Sequence, residues 1–308
     1  MARTADRSNK KSAKAISDNG DSPMKHHPYH GMVATLATMH RKEIAVAPPF
    51  KELVGLHVIS AADIDTDALG TFSGDIPRIG SMGEVATRKA RLGMTAANTR
   101  IGLASEGTFG PHPAIPFITA GMELLKLVDD DRGIEISESL VTPDIVFQKA
   151  ILRPGEDLTS FLASCRFPSH GLIARPNAPG VSTPIIKDIL TRDDLDNAIA
   201  MLARQSDDGR VVLSNDMRAH RNPTRMRSLD KLAIKLAQRV ASLCPACGSP
   251  GFGKSGQIDG LPCMDCGSPT RSPMLDKFGC VACGCSETRT RADGKTRENP
   301  MYCDYCNP

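Results

Sequence analysis

The chain has no tryptophan, and aromatic residues fill only 4% of its 308 positions, so an apolar core has to be built from Leu, Ile, Val, Ala and Met. No apolar run approaches the roughly 18 residues that a membrane span needs, which excludes a membrane partner of that kind. The basic N-terminal stretch has no apolar segment behind it, so it does not read as a secretion signal. Excess charge is also lacking: a net +3 is too small to mark a nucleic-acid binder by itself. What remains is ordinary for a water-soluble globular protein, with 40% hydrophobic and 24% charged residues.

Cysteine is present and unevenly spread. Of 10 cysteines, all but Cys165 follow residue 243, and eight form Cys-x-x-Cys pairs. Without a secretion signal, a reducing cytoplasm and metal binding are expected rather than disulfides. The pairs are Cys244/Cys247, Cys263/Cys266, Cys280/Cys283 and Cys303/Cys306, and glycine follows three of them. Two ligands three residues apart can hold one ion from a single turn, and glycine tolerates the positive φ such a turn needs. Eight thiolates make two closed, structural Zn²⁺ sites; thiolates also hold iron, but four pairs at ribbon spacing favour zinc. Loop lengths favour tandem pairing (first with second, third with fourth), with the interleaved arrangement as the alternative. Cys285 reads as a passive thiol and Cys165 as a buried core residue.

Composition divides the chain into a polar, basic, disordered tail (1–27), an α/β region (28–242) and a zinc-ribbon module (243–308). Strands are expected at 32–38, 57–60, 101–105, 123–129, 133–140, 171–175 and 211–214. Helices are expected from Pro49, over 84–97, 156–166 and 193–204, and from Pro223 with Asn222 as its cap. On the helix over 84–97, Val85, Ala86, Ala90, Gly93, Met94 and Ala97 share one face and Arg88 and Arg91 the other. The last helix repeats Arg227, Lys231, Lys235 and Arg239, read first as a solvated face and alternatively as a rail for phosphates.

Three segments concentrate reactive side chains. Leu36–Glu43 runs a strand into Thr38, His40, Arg41 and Lys42, a place where phosphates are held. Gly83–Arg91 opens a helix with Glu84, followed by Arg88 and Lys89. Gly102–Pro113 sets Glu106 at a strand end in a glycine-flanked turn, where a carboxylate could hold a divalent metal. Plainer readings stand beside these: Glu84 answers the helix dipole, Arg88, Lys89 and Arg91 form a solvated face, and His112 is a loop spacer. His26, His27 and His30 read as a surface cluster, and Asp65-Thr66-Asp67 as a turn. Arg218, His220, Arg221 and Arg225 gather before the last helix as a secondary phosphate site.

Taken together, ATMHRKE, DTDALGTFSGDI, RKARLGM, GLASEGTFGPHP, NPTRM and the terminal Cys-x-x-Cys pairs resemble a bacterial family of uncharacterised proteins, a domain of unknown function. The order of segments in the α/β part also resembles the Maf and inosine/xanthosine triphosphate pyrophosphatase superfamily. That likeness implies a mixed-sheet α/β domain ahead of a double zinc ribbon. It implies phosphate binding by Thr38, Arg41 and Lys42, Mg²⁺ or Mn²⁺ at Glu84 and Glu106, and charge neutralisation by Lys89. The implied reaction is metal-dependent hydrolysis of a nucleoside triphosphate or a related phosphorylated small molecule. Pro48-Pro49 depart from that pattern, because they should break the first helix. The alternative is a non-catalytic ribbon protein that binds nucleic acid or another protein; the sequence does not reveal the oligomeric state.

Overall fold

A computed structural model describes residues 27–61, 64–66, 79–178 and 184–308. Residues 1–26 of the basic tail, His26 among them, Asp67 and most of the DTDALGTFSGDI stretch lie outside these. Among the described residues no helix is long and apolar enough to cross a membrane.

The chain starts with β1 (Val33–Leu36), α1 (Glu43–Val54), β2 (His57–Ser60), α2 (Met82–Ala97), β3 (Ile101–Pro111), β4 (Thr119–Asp129) and β5 (Ile134–Thr142). These strands form one mixed sheet in the order β2-β1-β3-β4-β5. β1 is parallel to both β2 and β3, and β3, β4 and β5 run antiparallel. Because α1 leads from β1 to one neighbour and α2 leads back to the other, the strand order reverses at β1. The crevice outside the carboxyl ends of β1 and β3 is therefore a topological switch point, where open α/β sheets bind ligands.

Helix α1 contradicts the break expected at the prolines. It runs through Pro48 and Pro49 and ends at Gly55, whose φ of 68° suits a left-handed cap. An interior proline costs about 3 kcal/mol. Here it is offset by burial of Val46, Phe50 and Val54 against the large sheet and the last helix, at about 1.5–3 kcal/mol per side chain. On the other sheet face, α2 starts at a capping box between Ser81 and Glu84. Its small inner residues allow close approach: a Cβ on Gly93 would lie 3.2 Å from Ala37, and one on Gly102 would strike Met94 at 2.6 Å.

The region 28–242 contains a second sheet as well. β6 (Lys149–Leu152), β7 (Leu172–Pro176), β8 (Ile186–Ile189) and β9 (Val211–Asn215) pair antiparallel in the order β6-β9-β7-β8. α3 (Thr159–Ser164), shorter than expected, and α4 (Arg192–Ala203) accompany it. Leu172, Ala174, Leu213, Leu195 and Leu202 form its core with Cys165, which is buried as expected. α5 (Pro223–Ala241) then returns to the large sheet. Asn222 caps it, and Leu232, Ala233, Leu236, Ala237 and Val240 pack against α1 and the sheet.

After α5, β10 (Gly253–Asp259), β11 (Pro273–Gly279) and β12 (Ser286–Thr290) form a three-stranded antiparallel sheet carrying the cysteines at its ends. The basic positions of α5 are not a free rail. Lys235 and Arg239 both reach Glu138, and Arg239 also donates to the carbonyls of Ser137 and Gly251, tying helix, sheet and ribbon together.

Candidate functional site

The cysteines form two four-thiol groups, Cys244/Cys247/Cys280/Cys283 and Cys263/Cys266/Cys303/Cys306, with the sulfurs of each within 4.8 Å of one another. The pairing is interleaved, which corrects the tandem expectation. β10 and β11 are an antiparallel hairpin, so the knuckle before β10 and the knuckle after β11 meet at its open end. The knuckle between these strands lies at the opposite end, a strand length of roughly 23 Å away. The loop count did not capture this, because pairing follows strand direction rather than the length of intervening chain.

The donor set fits zinc. The contacts Cys244–Cys283, Cys247–Cys280, Cys263–Cys306 and Cys266–Cys303 measure 3.8, 3.7, 3.9 and 3.6 Å. Tetrahedral coordination at about 2.3 Å places sulfurs about 3.8 Å apart. Each knuckle closes alike: the N–H groups of Gly248, Gly267, Gly284 and Asn307 donate to the carbonyls of Cys244, Cys263, Cys280 and Cys303. The three glycines have φ of 72–74°. Hydrogen bonds from Ser249 and Ser268 lower the thiols of Cys247 and Cys266, while hydrogen bonds with the neighbouring thiols raise those of Cys283 and Cys306, so each group shares its protons unevenly. Cys285 occupies the position of these serines: its carbonyl accepts from the Cys280 N–H as theirs do from Cys244 and Cys263. The repeated Cys-Gly-Ser-Pro at 247–250 and 266–269 was a readable sign of this internal likeness.

Among the described residues these are the only groups of three or more Cys, His, Asp or Glu side chains close enough to share an ion. Of the histidines expected to form a surface cluster, His26 lies outside the described residues and His27 is not at the surface. His27 is buried, with Nε2 3.0 Å from the Val240 carbonyl, and burial lowers its pKa. Glu84 and Glu106 do not converge on a metal either. The Glu84 carboxylate accepts from the Ser81 N–H and hydroxyl, which holds its pKa low, as a helix-start acid should. Glu106 is not at a strand end; it lies within β3 opposite Leu124, with Lys89 2.6 Å away. Lys89 is therefore buried rather than solvated, while Arg88 and Arg91 are exposed.

Other buried charges surround that pair. Lys42 Nζ donates to Ser105 Oγ at 2.9 Å, and Arg225 Nε donates to Glu123 Oε1 at 2.6 Å. Burial pushes the Lys42 ammonium down to about 8, helped by the positive charge of Arg225 and opposed by Glu123 and Glu106. Glu123 went unnoticed in the sequence, although it shares the core-facing register of Leu125 and Leu127 on β4. Gly107 opposite makes room for it, since a Cβ there would sit 2.6 Å from Glu123 Oε2. Thr38 is buried, and its hydroxyl accepts from the His40 N–H. The expected phosphate set is thus divided: Thr38, Lys42 and Arg225 lie inside, whereas Arg41 and Arg221 line an outer groove.

A cleft of about 170 Å³ lies beside this switch point. His40 enters it from the loop after β1; Lys149, Arg175, Lys187 and Ser214 come from the second sheet, and Arg218 from the segment that follows β9. Strand alternation explains the placement. Ala150, Ala174, Ile186 and Leu213 point to the helix-covered core, so Lys149, Arg175, Lys187 and Ser214 occupy the uncovered face. Asp216 pairs with Arg218 at 2.6 Å. Among the described residues no carboxylate reaches Lys149 or Arg175. None of the three positions Lys149, Arg175 and Lys187 was singled out from sequence: β6 and β8 are only four residues long, and Arg175 reads as an ordinary outward residue of the strand expected at 171–175.

The structure thus defines a mixed α/β protein with several sheets and two four-cysteine groups able to hold metal, compatible with zinc. The chain belongs to the DUF6671 family, a domain of unknown function, whose model matches residues 89–308. No curated protein and no solved structure matches it, so the expected likeness to the Maf superfamily has no counterpart there.

Proposed function

We propose that the protein binds a phosphorylated small molecule in the cleft between its two α/β sheets, with the zinc ribbon as a structural platform. The observation that carries this reading is the set of cationic side chains on the uncovered face of the second sheet, turned towards the crevice of the first. Arginine offers a bidentate fork to phosphate and lysine a point charge. Closed four-thiolate centres leave no position for substrate, which assigns zinc a holding role.

Hydrolysis of the bound ester is the second reading, favoured by Lys42, Lys89, Glu106, Glu123 and Arg225 clustered behind the cleft, since perturbed ionisable groups gather at functional sites. Binding stands first because the cleft lining includes neither Glu106 nor Lys89. Nucleic-acid binding receives less support: in the ribbon Lys254, Arg271, Arg289, Arg291 and Lys295 each face a carboxylate. Thermal shift of the zinc-loaded protein with a panel of phosphorylated compounds tests binding, and stabilisation by at least one compound but not by sulfate is expected. Pyrophosphate release from nucleoside triphosphates with Mg²⁺, compared with Glu106→Gln, tests hydrolysis; equal rates in both proteins would remove that reading.

A further inference from the structure

A second depression adjoins the basic cleft. It measures about 580 Å³ and runs between the first turns of α1 and α5. Ile44, Ala45, Ala219, Pro223 and Met226 make its apolar surface, and Arg41, Arg221, Arg227 and the carboxylate of Asp230 stand around it. His40 lines the cleft, His220 lines this groove, and their rings stack with centroids 5.2 Å apart and planes 20° apart. The two depressions therefore meet at this pair of imidazoles.

Backbone geometry marks this junction as built. Among the described residues four non-glycine positions have positive φ. Asn98 and Arg166 close the ends of α2 and α3, a place where left-handed residues are common. Arg41 (φ 56°) and Asp188 (φ 64°) have no such explanation, and both flank the imidazole pair. Asp188 belongs to a bulge, because Leu172 pairs with Ile189 while Ala174 pairs with Ile186. The bulge turns its carboxylate onto Arg221 and Arg218 (2.9 Å) and towards His220 (3.7 Å). Arg227 is held by Thr224 at 3.1 Å. Two of the three arginines are thus fixed before any ligand arrives. Ile44, meanwhile, is 61% exposed beside them.

We infer that this groove seats a planar ring joined to the phosphorylated group in the cleft, so that the ligand is of the nucleotide class. Guanidinium planes and apolar side chains suit the faces of such a ring, and the imidazole pair marks where ring and phosphate part. The inference rests on the phosphate reading above and adds what lies beyond the phosphate.

Calorimetric titration of the full, zinc-loaded chain tests it, using ribose 5-phosphate and the common nucleoside 5′-monophosphates as probes. At least one nucleotide should bind about tenfold or more tighter than ribose 5-phosphate, the gain expected of one stacked base. Ile44→Asp, an exposed change that suits the first turn of a helix, should abolish that preference and leave ribose 5-phosphate binding unchanged. Ribose 5-phosphate binding as tightly as every nucleotide, or an undiminished preference in Ile44→Asp, would overturn the ring seat alone. Binding of none of the probes would overturn the phosphate reading and the ring seat with it.

Discussion

The ribbon and the basic cleft bring reactive side chains together by opposite routes. The ribbon uses four knuckles of one design between Cys244 and Cys306, each shaped by its own local turn, and a short hairpin sets which knuckles meet. The cleft draws on five separate segments from His40 to Arg218, carried by two sheets that share no strand. A local device repeats and is robust to its surroundings; a tertiary one depends on every element that positions it. The buried charges behind the cleft belong to the second kind, since Glu123 and Arg225 are 102 residues apart.

Metal removal should give the largest effect. Chelation is expected to unfold the ribbon, because structural zinc contributes on the order of 10 kcal/mol to modules of this type. Interleaved pairing further requires Cys244→Ser and Cys280→Ser each to abolish the same site and leave about one zinc per chain, from the two that eight thiolates hold. Binding of Co²⁺ followed by its thiolate absorption in single and paired variants checks this. Additive loss between Cys244→Ser and Cys280→Ser would restore tandem pairing.

Next in size is the buried pair. Arg225→Met strands the Glu123 carboxylate and should cost about 3–5 kcal/mol in urea unfolding, with much of the loss recovered when Glu123→Leu is added. A cost below about 1 kcal/mol would show that the pair does not organise the cleft's rear wall.

A similar magnitude should appear against pH. The folded-state Lys42 titrates near 8 and the unfolded lysine near 10.4, so between these values the unfolded chain holds more protons. Stability from this group should therefore rise with pH across that window, by about 3 kcal/mol in all, and the rise should vanish in Lys42→Met. Identical pH profiles for the two proteins would contradict the burial of Lys42.

The smallest effect lies where the ribbon meets the first sheet. Gly251 has φ 93° and no room for a Cβ, which would lie 2.5 Å from Ile136 Cδ1. Gly251→Ala should cost about 1–3 kcal/mol and raise hydrogen exchange in β5 and at the ribbon's docked end while leaving zinc content intact.

The same contrast governs how much was legible in the sequence. Cys-x-x-Cys-Gly announces its turn and its ligands together, and Asn222-Pro223 announces a helix start, because each device is complete within a few residues. Lys89 and Glu106 stood out as reactive residues, but not their partnership, which needs α2 laid across β3. Helix α1 defeated a local rule because tertiary burial outweighed its prolines. Lys149, Arg175 and Lys187 were illegible for a different reason. Each is an ordinary outward residue of a short strand, and only the tertiary fold gathers them with His40, from the loop after β1, around one cleft.

Phosphate binding on this face is tested by the affinity of the zinc-loaded chain for its best phosphorylated ligand, in wild type and Arg175→Ala/Lys187→Ala. Removing two direct charge-assisted contacts should weaken binding by at least about a hundredfold and flatten its salt dependence, with no change in melting temperature of the free protein. Unchanged affinity in the double variant would place the ligand elsewhere and contradict the account.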